Sequence, residues 1–389
     1  MKAKEEEKMK LLHLSDLHIG KRVNEFSMME DQTYILKQIL SVAEQEAADG
    51  VILAGDLYDK PVPPAEAVQV MDRFLTQLAD RNIPVFAVSG NHDSPERVAF
   101  GAELMRNRGI YLSPVYDGNV VAISLEDSYG EVCVYLLPFL RPSTVRHALA
   151  QEEGKITSYQ DALKMAVERI HPDSGKRNVL VAHQFVTGAV RCDSEEVSVG
   201  GVDQVDVSVF DEFDYVALGH IHSPQWVKRR EVRYCGTPLK YSFSEAEQEK
   251  SVTVVELEEK GKVKIRTIPL VPMRDMRKIR GTYMEVMERS FETGENRDDY
   301  VQITLTDEED IPDGLQRLRT RYPRLMRLEY DNKRTREEHF LDGSSRAEEK
   351  SELELLEEFF ELQNNQSMGK EQRRFAQELI LSIQEGQDL

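Results

Sequence analysis

Five short polar segments, each directly after an apolar run, contain the side chains best suited to bind metal ions. The segments are Asp16-Leu17-His18, Gly55-Asp56-Leu57-Tyr58-Asp59, Gly90-Asn91-His92-Asp93, Ala182-His183-Gln184 and Gly219-His220-Ile221-His222. They supply carboxylates, imidazoles and one carboxamide, the oxygen and nitrogen ligands that hard and borderline divalent cations take. Because five of the nine histidines fall inside these segments, the pattern predicts a metal centre.

The spacing of the first two segments favours a shared cation and a bridging carboxylate. Asp16 and His18 are two residues apart, so in an extended segment both side chains point to the same side and can bind one metal ion. Asp56 follows an apolar run and a glycine, which leaves its carboxylate free to lie between two ions.

The other segments can complete a second cation site. Asn91 offers a neutral carbonyl oxygen, and the glycine before it allows a sharp turn. His220 and His222 are also two residues apart, and each can reach a different ion, while His183 completes the second set. Two dications about 3.5–4 Å apart activate water and stabilise both oxygens of a phosphoryl displacement. The set therefore predicts hydrolytic metal chemistry.

The elements that must position these residues alternate between strands and helices. Apolar runs predict buried strands at 11–14, 51–54, 85–88, 179–181 and 215–218, and helical spacing predicts amphipathic helices at 33–47, 65–78 and 158–170. Further strands are predicted at 225–234 and 251–256. This rhythm predicts a layered α/β fold with helices on the sheet faces. Polar residues at successive strand ends would then meet at one edge.

The composition shifts near residue 270 and predicts a small α+β module at 272–333. It contains predicted strands at 300–306 and 328–330 and a helix at 315–326. That helix and its end carry Arg317, Arg319, Arg321 and Arg324, which predict either contacts with a phosphate backbone or a solvated helix face. A charged stretch at 334–350 predicts a linker. Two amphipathic helices, at 351–364 and 370–384, would either dock on a partner or fold back on the core.

The bulk composition sets further expectations. The 389 residues carry a net charge of −20 and three scattered cysteines, which argues against coating of nucleic acid by bulk charge and against a thiolate zinc site. No apolar run approaches the roughly 18 residues of a membrane span. Residues 1–8 predict a disordered tail without the apolar segment of a signal peptide, so a cytoplasmic protein is expected.

The ordered motifs resemble those of the calcineurin-like metallophosphoesterase superfamily. DxH, GDxxD, GNHD, an isolated histidine and GHxH match it in type and order. Within it, the chain is most similar to the SbcD family of bacterial nuclease subunits, through its opening at 11–20, through GNHD where the phosphatases have GNHE, and through the segment at 234–245. The resemblance covers residues 9–271 strongly. It implies a layered sandwich of central β-sheets flanked by helices, with a small α+β capping domain (272–333) and a C-terminal helix pair (351–389).

The resemblance also implies roles for single residues. One metal ion would be bound by Asp16, His18, Asp56 and His222, and the other by Asp56, Asn91, His183 and His220, with Mn²⁺ as the activating ion. His92 would be the catalytic histidine and not a ligand. Archaeal relatives tend to have a histidine where this chain has Asp59, and we expect Asp59 or Asp93 to orient His92.

The activity implied by the resemblance is that of a two-metal DNA nuclease. It would be an ATP-dependent 3′→5′ double-strand exonuclease and a hairpin-opening or single-strand endonuclease in DNA repair, recombination and replication, associated with the nucleoid. Its partners would be the SbcC ATPase, docked through the C-terminal helices, double-stranded and hairpin DNA, and a second copy in a homodimer. No Walker A pattern occurs in the sequence, so we expect no nucleotide bound by this chain. The alternative is a small-molecule phosphodiesterase or phosphatase on the same fold.

Overall fold

The computed structural model describes residues 8–195, 204–289, 291, 295–332, 353, 356–357, 359–360 and 367–384. The predicted tail, apart from residue 8, lies outside these residues, as do the predicted linker at 334–350 and most of the predicted helix at 351–364. The chain divides into two units, the first comprising Met1–Arg280, Met284–Thr304 and Asp313–Glu329, and the second Gly281–Tyr283, Leu305–Pro312 and Tyr330–Leu389. The domain boundaries expected from the sequence stay predictions.

The described strands and helices alternate over the first part of the chain, as the sequence predicts. The strands are β1 (Met9–Leu14), β2 (Arg22–Val23), β3 (Phe26–Ser27), β4 (Gly50–Ala54), β5 (Val85–Val88), β6 (Ile110–Leu112), β7 (Val121–Asp127), β8 (Gly130–Leu137), β9 (Arg177–His183), β10 (Phe185–Val186), β11 (Gln204–Val205), β12 (Tyr215–Gly219), β13 (Gln225–Val227), β14 (Arg229–Tyr234), β15 (Ser251–Leu257), β16 (Val263–Pro269), β17 (Met276–Gly281), β18 (Tyr300–Leu305) and β19 (Leu325–Tyr330). The helices are α1 (Met29–Gln45), α2 (Ala65–Asp80), α3 (Pro95–Val98), α4 (Ala102–Arg106), α5 (Pro142–Ala148), α6 (Tyr159–Glu168), α7 (Tyr283–Glu288), α8 (Gly314–Arg321) and α9 (Lys370–Gln384). None of the described helices has both the length and the apolar character needed to cross a membrane.

Two six-stranded sheets form the centre of the first unit, with strand orders β16-β15-β1-β4-β5-β6 and β13-β14-β12-β9-β8-β7. Their facing sides share an apolar core that includes Leu11, Phe86, Val134 and Tyr215. Helices α1 and α2 pack on the outer side of the first sheet, and α5 and α6 pack on the outer side of the second. The chain therefore has a layered α/β sandwich with helices on both outer faces, which confirms the predicted fold class.

Strand direction explains why the polar motifs can meet. In the first sheet β1, β4 and β5 are parallel neighbours, and in the second sheet β8, β9 and β12 are parallel neighbours. The carboxyl ends of parallel strands lie at the same edge of a sheet, which is where α/β proteins build their sites. Each of the five motifs begins at or just after the carboxyl end of β1, β4, β5, β9 or β12.

Two predicted elements differ in the structure. The helix predicted at 315–326 ends earlier, at Arg321, because the steric bulk of Pro323 disfavours the helical conformation at Tyr322; Leu325 and Met326 belong to β19 instead. The single strand predicted at 225–234 is a hairpin of β13 and β14, broken at Lys228, whose φ of 61° lies in the left-handed region.

Candidate metal centre

The backbone after β1 and β4 is held in one strained arrangement. The amide of Asp16 donates to the carbonyl of Gly55 at 3.0 Å, and the amide of His18 donates to the carbonyl of Asp56 at 2.9 Å. Asp16, His18 and Asp56 have φ values of 52°, 44° and 50°, and His220 has 99°. Left-handed backbone at residues other than glycine costs roughly 1–3 kcal/mol each and clusters at functional sites. The strained backbone of the loops after β1, β4 and β12 therefore indicates that their side chains form a functional site.

Three glycines of the motifs are required by crowding. A Cβ atom at Gly90 would lie 2.1 Å from Oδ1 of Asp56, and one at Gly219 would lie 1.8 Å from the carbonyl oxygen of Ala54. At Gly55, where φ is 89°, a Cβ atom would lie 2.3 Å from Nδ1 of His183. No larger residue fits at these positions without moving the metal-centre residues around it.

The first group of donors lies where the two sheets meet. Ligand atoms of Asp16, His18 and His222 lie within 4.8 Å of one another, and all three residues are buried. The Nε2 atoms of His18 and His222 are 3.2 Å apart. Asp16 accepts hydrogen bonds from the hydroxyl of Ser15 at 2.5 Å and from the amide of His220 at 3.1 Å.

The second group of donors surrounds the carboxamide of Asn91. Its Oδ1 lies 2.9 Å from Nε2 of His183 and 2.9 Å from Nδ1 of His220. Nδ1 of His183 lies 2.8 Å from the carbonyl of Ala54, and because a carbonyl only accepts, this nitrogen carries the hydrogen. Such a bond on the far ring nitrogen fixes the ring orientation of metal-binding histidines.

Asp56 lies between the two groups. Its Oδ2 is 3.7 Å from Nε2 of His18 and 3.4 Å from Nε2 of His183, while its Oδ1 accepts from the amide of His92 at 2.9 Å. The carboxylate that the sequence predicts as the bridge is therefore the one in contact with histidines of both groups.

Burial and mutual charge perturb the titration of these residues. Burial, opposed by His183 and reinforced by the charge of Asp56, raises the pKa of Asp16 to about 7. Although burial opposes the shift, His183 holds the pKa of Asp56 well below its usual range. Burial works against the charged form of His183, yet Asp56 and Asp16 raise its pKa to about 9. Burial lowers the pKa of His18 well below its ordinary value, so this imidazole is neutral.

The arrangement fits divalent cations. Nδ1 of His18 is buried and has no hydrogen-bond partner in the described part of the chain. Two imidazole nitrogens face each other at 3.2 Å, and two more converge on one amide oxygen. These donors are nitrogen and carboxylate or carbonyl oxygen, with no thiolate among the predicted ligands, which suits Mn²⁺, Fe²⁺ or Zn²⁺. The assignment of single residues as ligands stays a prediction.

His92 lies beside the centre, with its ring against that of His18 at 4.8 Å between centroids. Its Nδ1 lies 3.1 Å from the main-chain carbonyl of Asp59. The carboxylate of Asp59 accepts from Lys21 at 2.8 Å. The carboxylate of Asp93 accepts from the amides of Leu57, Tyr58 and Gly90, and burial together with the charge of Asp56 raises its pKa to about 6. Asp59 thus contacts His92 through its own main-chain carbonyl, and Asp93 holds the loop after β4 against the loop after β5.

Sequence reasoning assigns no role to the residues that hold the loop after β1. Nε2 of Gln32 donates to the carbonyls of Leu17 and His18, at 3.3 and 2.7 Å, and the hydroxyl of Tyr241 donates to Leu17 at 2.6 Å. Glu245 is fully buried near His222. In the sequence, Tyr241 and Glu245 stand out only because they lie in the segment 234–245. That segment resembles the family as a whole, but the resemblance assigns no role to its single residues. Gln32 belongs to no motif.

The predicted arginines of the small module have contacts of their own. Arg319 donates to the carbonyl of Leu325 at 3.3 Å, Arg321 lies over the ring of Phe291, and Arg324 lies over the ring of Tyr300. Arg317 and Arg319 are both exposed on α8. Contact of these residues with DNA stays a prediction, and exposure favours Arg317 and Arg319.

Two family models match the chain. The model of the calcineurin-like phosphoesterases matches residues 9–224. The model SbcD_C, described as the Type 5 capsule protein repressor C-terminal domain, matches residues 272–364. The first contains all the predicted ligands, from Asp16 to His222.

One curated relative and two solved structures illustrate the similarity. The SbcD subunit of the nuclease SbcCD from Staphylococcus epidermidis is 33% identical over 324 residues, which cover 82% of this chain and 85% of the relative. The protein TT1561 of Thermus thermophilus is 13% identical, with a TM-score of 0.37, over 67% of this chain and 99% of that one. A dimetal phosphatase from Danio rerio is 11% identical, with a TM-score of 0.38, over 68% of this chain and 99% of that one.

Proposed function

The chain belongs to the calcineurin-like phosphoesterase family and, within it, to the SbcD nuclease subunits, and from this premise we propose that it hydrolyses DNA phosphodiester bonds at a two-metal centre. Its activities are ATP-dependent 3′→5′ exonuclease action on double strands and endonuclease action on hairpins and single strands. It acts with the SbcC ATPase in DNA repair, recombination and replication, in the cytoplasm at the nucleoid.

The observation that carries this proposal is the position of Asp56. Its Oδ2 lies within 4 Å of a histidine from each donor group, which is the arrangement that a bridging carboxylate needs. Asp16, His18 and His222 would complete one cation site. Family membership supports divalent cations, and the nitrogen-oxygen donor set supports Mn²⁺.

The second cation would be held by Asn91, His183 and His220 together with Asp56. When bound, the two ions supply a nucleophile at neutral pH and neutralise charge on the phosphoryl oxygens. The protein's own contribution is orientation: the carbonyl of Ala54 fixes the ring of His183, and the amide of His220 fixes Asp16. These contacts set the geometry before substrate arrives.

His92 is the proposed catalytic histidine. Because Asp59 contacts Nδ1 through a carbonyl oxygen, Nδ1 carries a hydrogen, and Nε2 is the atom that exchanges a proton with the substrate. In the imidazolium form, Nε2 gives its proton to the departing sugar oxygen. General acid catalysis of this kind contributes about 10²–10⁴-fold to the rate.

The remaining parts of the chain are proposed to bind macromolecules. The module at 272–333 caps the site and contacts DNA through the exposed cations of α8, Arg317 and Arg319. Helix α9 docks on SbcC through the apolar face of its amphipathic sequence, on which Phe375 is 67% exposed. The protein is proposed to act as a homodimer.

A nuclease assay on a hairpin duplex tests the proposal. The full chain is incubated with and without Mn²⁺, ATP and SbcC, and products are resolved by length. We expect no cleavage of any kind without Mn²⁺. With Mn²⁺, we expect 3′→5′ degradation of the duplex only when SbcC and ATP are also added. Hydrolysis of a nitrophenyl phosphodiester without any cleavage of DNA by the assembled complex would instead establish a small-molecule phosphodiesterase.

A further inference from the structure

A chain of hydrogen bonds leads from the ring of His222 to a buried carboxylate. Nδ1 of His222 lies 2.7 Å from Oγ of Ser194, and the same hydroxyl lies 2.6 Å from Oε1 of Glu245. Both ring nitrogens of His222 thus have close neighbours, because Nε2 faces Nε2 of His18 at 3.2 Å. His222 and Glu245 are 2% and 0% exposed, so these contacts are sheltered from water.

The charge at the end of this chain is fixed by a lysine. Nζ of Lys250 lies 2.6 Å from Oε2 of Glu245 and also donates to the carbonyl of His222 at 3.0 Å. Lys250 is itself 5% exposed. Lys250 thus donates to one oxygen of Glu245, and Ser194 donates to the other. A carboxylate that pairs with an ammonium in this way accepts hydrogen bonds and donates none.

The direction of each hydrogen bond follows from this charge. A hydroxyl has one hydrogen to donate, and Ser194 must direct it to Glu245 because the carboxylate has none to offer. Oγ of Ser194 can then only accept from His222, so Nδ1 of His222 carries a hydrogen. In the neutral ring that metal binding requires, Nε2 is left as a lone pair that points toward His18.

We infer that Ser194 and Glu245 are positioning residues that fix the tautomer of His222, so that Nε2 is the atom offered to a cation. The inference rests on the proposed function, in which His222 is a metal ligand. It assigns a task to two residues outside the five motifs. Contacts that fix the tautomer of a metal-binding histidine typically account for about 10–100-fold in metal affinity.

The substitution Glu245→Gln should change the tautomer of His222, an effect that a general loss of packing would not produce. The ammonium of Lys250 is the strongest donor in contact with residue 245, so we expect the carboxamide oxygen to turn toward it and the NH₂ group to turn toward Ser194. The hydroxyl then accepts from Gln and donates to Nδ1 of His222. The hydrogen of the imidazole moves to Nε2, which is the tautomer that cannot bind a metal ion through that atom.

The test combines ring tautomer and metal affinity in the full chain. Metal-free protein labelled with ¹⁵N-histidine is studied by long-range ¹H–¹⁵N correlation, and the signals of residue 222 are identified by their loss in His222→Gln. We expect the Nδ1–H tautomer in wild type and in Ser194→Thr, which keeps the hydroxyl. We expect the Nε2–H tautomer in Glu245→Gln and a mixture in Ser194→Ala.

Calorimetric titration with Mn²⁺ gives the second measurement. Ser194→Ala should weaken one of two sites by about 10–100-fold, and Ser194→Thr should restore most of the affinity. The matched control is Ser242→Ala, because the Ser242 hydroxyl also contacts Oε1 of Glu245, at 3.2 Å. The control should keep the wild-type tautomer and affinity.

The outcomes separate this inference from the function it rests on. Wild-type protein that binds no Mn²⁺ overturns the proposed function. Wild-type protein that binds Mn²⁺ normally, with the same tautomer and affinity in Ser194→Ala, overturns only the role of Ser194 and Glu245. Detection of the Nε2–H tautomer of His222 in wild-type protein would also overturn only the role of Ser194 and Glu245.

Discussion

The Nε2 atoms of His18 and His222 face each other at 3.2 Å, although 204 residues separate them in the chain. One residue follows a strand of the first sheet and the other follows a strand of the second. Two nitrogens at this distance need either a hydrogen on one of them or a cation between them, because two lone pairs would otherwise face each other. The packing of the two sheets thus places two nitrogen donors where one cation can contact both.

Replacement of Asp56 by Asn tests the bridging role. Because Oδ2 of Asp56 contacts histidines of both donor groups, the variant should lose both metal ions together, and with them nearly all nuclease activity. Metal content by plasma mass spectrometry, after equilibration with Mn²⁺, provides the measurement. Asp80→Asn, at a carboxylate that is 60% exposed, should keep both ions. Retention of one full equivalent in Asp56→Asn would contradict the bridge.

Replacement of His92 by Ala should separate catalysis from metal binding. The variant should keep both metal ions and lose about 10²–10⁴-fold in turnover, because the hydrogen bond from His92 to Asp56 comes from the backbone amide, which the substitution keeps. Single-turnover cleavage of a labelled DNA and metal content are measured on the same sample. His147→Ala, at an exposed histidine of α5, is the control. If His92→Ala lost its metals, His92 would be a ligand.

A single methyl group at Gly90 should disrupt the centre. The added Cβ atom would lie 2.1 Å from Oδ1 of Asp56 and 2.4 Å from its backbone nitrogen, and a backbone atom cannot move away cheaply. We expect Gly90→Ala to bind Mn²⁺ at least about tenfold more weakly and to melt at a lower temperature. Gly154→Ala, where no atom lies within 4 Å, should behave as wild type in calorimetry. Equal Mn²⁺ affinity in the two variants would show that the loop has room to yield.

Asp127 should contribute stability that acid removes. Its carboxylate forms a salt bridge with Arg177 and accepts from the amide of Met9 at 2.6 Å. Burial opposes the ionised form, but the hydrogen bonds from Arg177, Tyr129 and Met9 lower the pKa of Asp127 below its ordinary value. A lowered pKa in the folded state stabilises the protein above the unfolded-state pKa, and this stability is lost as the pH falls through the folded-state pKa.

The measurement is urea unfolding of Asp127→Asn and wild type between pH 7 and pH 3. At pH 7 the variant should be less stable by roughly 2 kcal/mol, as expected for the loss of charged hydrogen bonds at a half-buried carboxylate, and the difference should shrink toward pH 3. Glu126→Gln, at the exposed neighbour, should show no such pH dependence. A difference that stays constant with pH would argue against this role.

Deletion of residues 345–389 should abolish binding to SbcC and spare metal-dependent nicking of single-stranded DNA. The deleted stretch contains α9 and the exposed Phe375, whereas the predicted ligands lie before residue 223. Phe375→Asp should weaken the complex in the same direction, and Lys370→Ala on the same helix is its control. Analytical size exclusion with purified SbcC provides the readout. A deleted chain that still forms the complex would place the dock elsewhere.

Much of the fold follows from short-range pattern, because strand and helix periodicity depend on burial of one face. The run at 85–88 is β5 as predicted, and the predicted helix at 370–384 is α9. The end of α8 differs from its prediction because a local feature, Pro323, overrides an apolar spacing that continues past it. The break at Lys228 is not predictable because its left-handed backbone has no sequence signature.

The meeting of the five motifs is predictable because each adjoins the end of a parallel strand. The supporting contacts of Gln32, Tyr241 and Glu245 are not, since these residues lie outside the five motifs and contact main-chain carbonyls or a serine hydroxyl. Likewise, the sequence points to Asp59 or Asp93 for His92, and it does not tell that the carbonyl oxygen of Asp59 makes a contact. Contacts made by main-chain atoms cannot be predicted from residue type, because every residue has the same carbonyl group.

The distance in sequence between Asp16 and His222 has a consequence for synthesis on the ribosome. The loop after β1 is made early, and its counterpart after β12 is made roughly 200 residues later. A nascent chain of half length contains β7 to β9 of the second sheet but lacks β12, and with it His220 and His222. The complete donor set therefore exists only after about residue 222 has left the ribosome, so the metal centre forms late in synthesis.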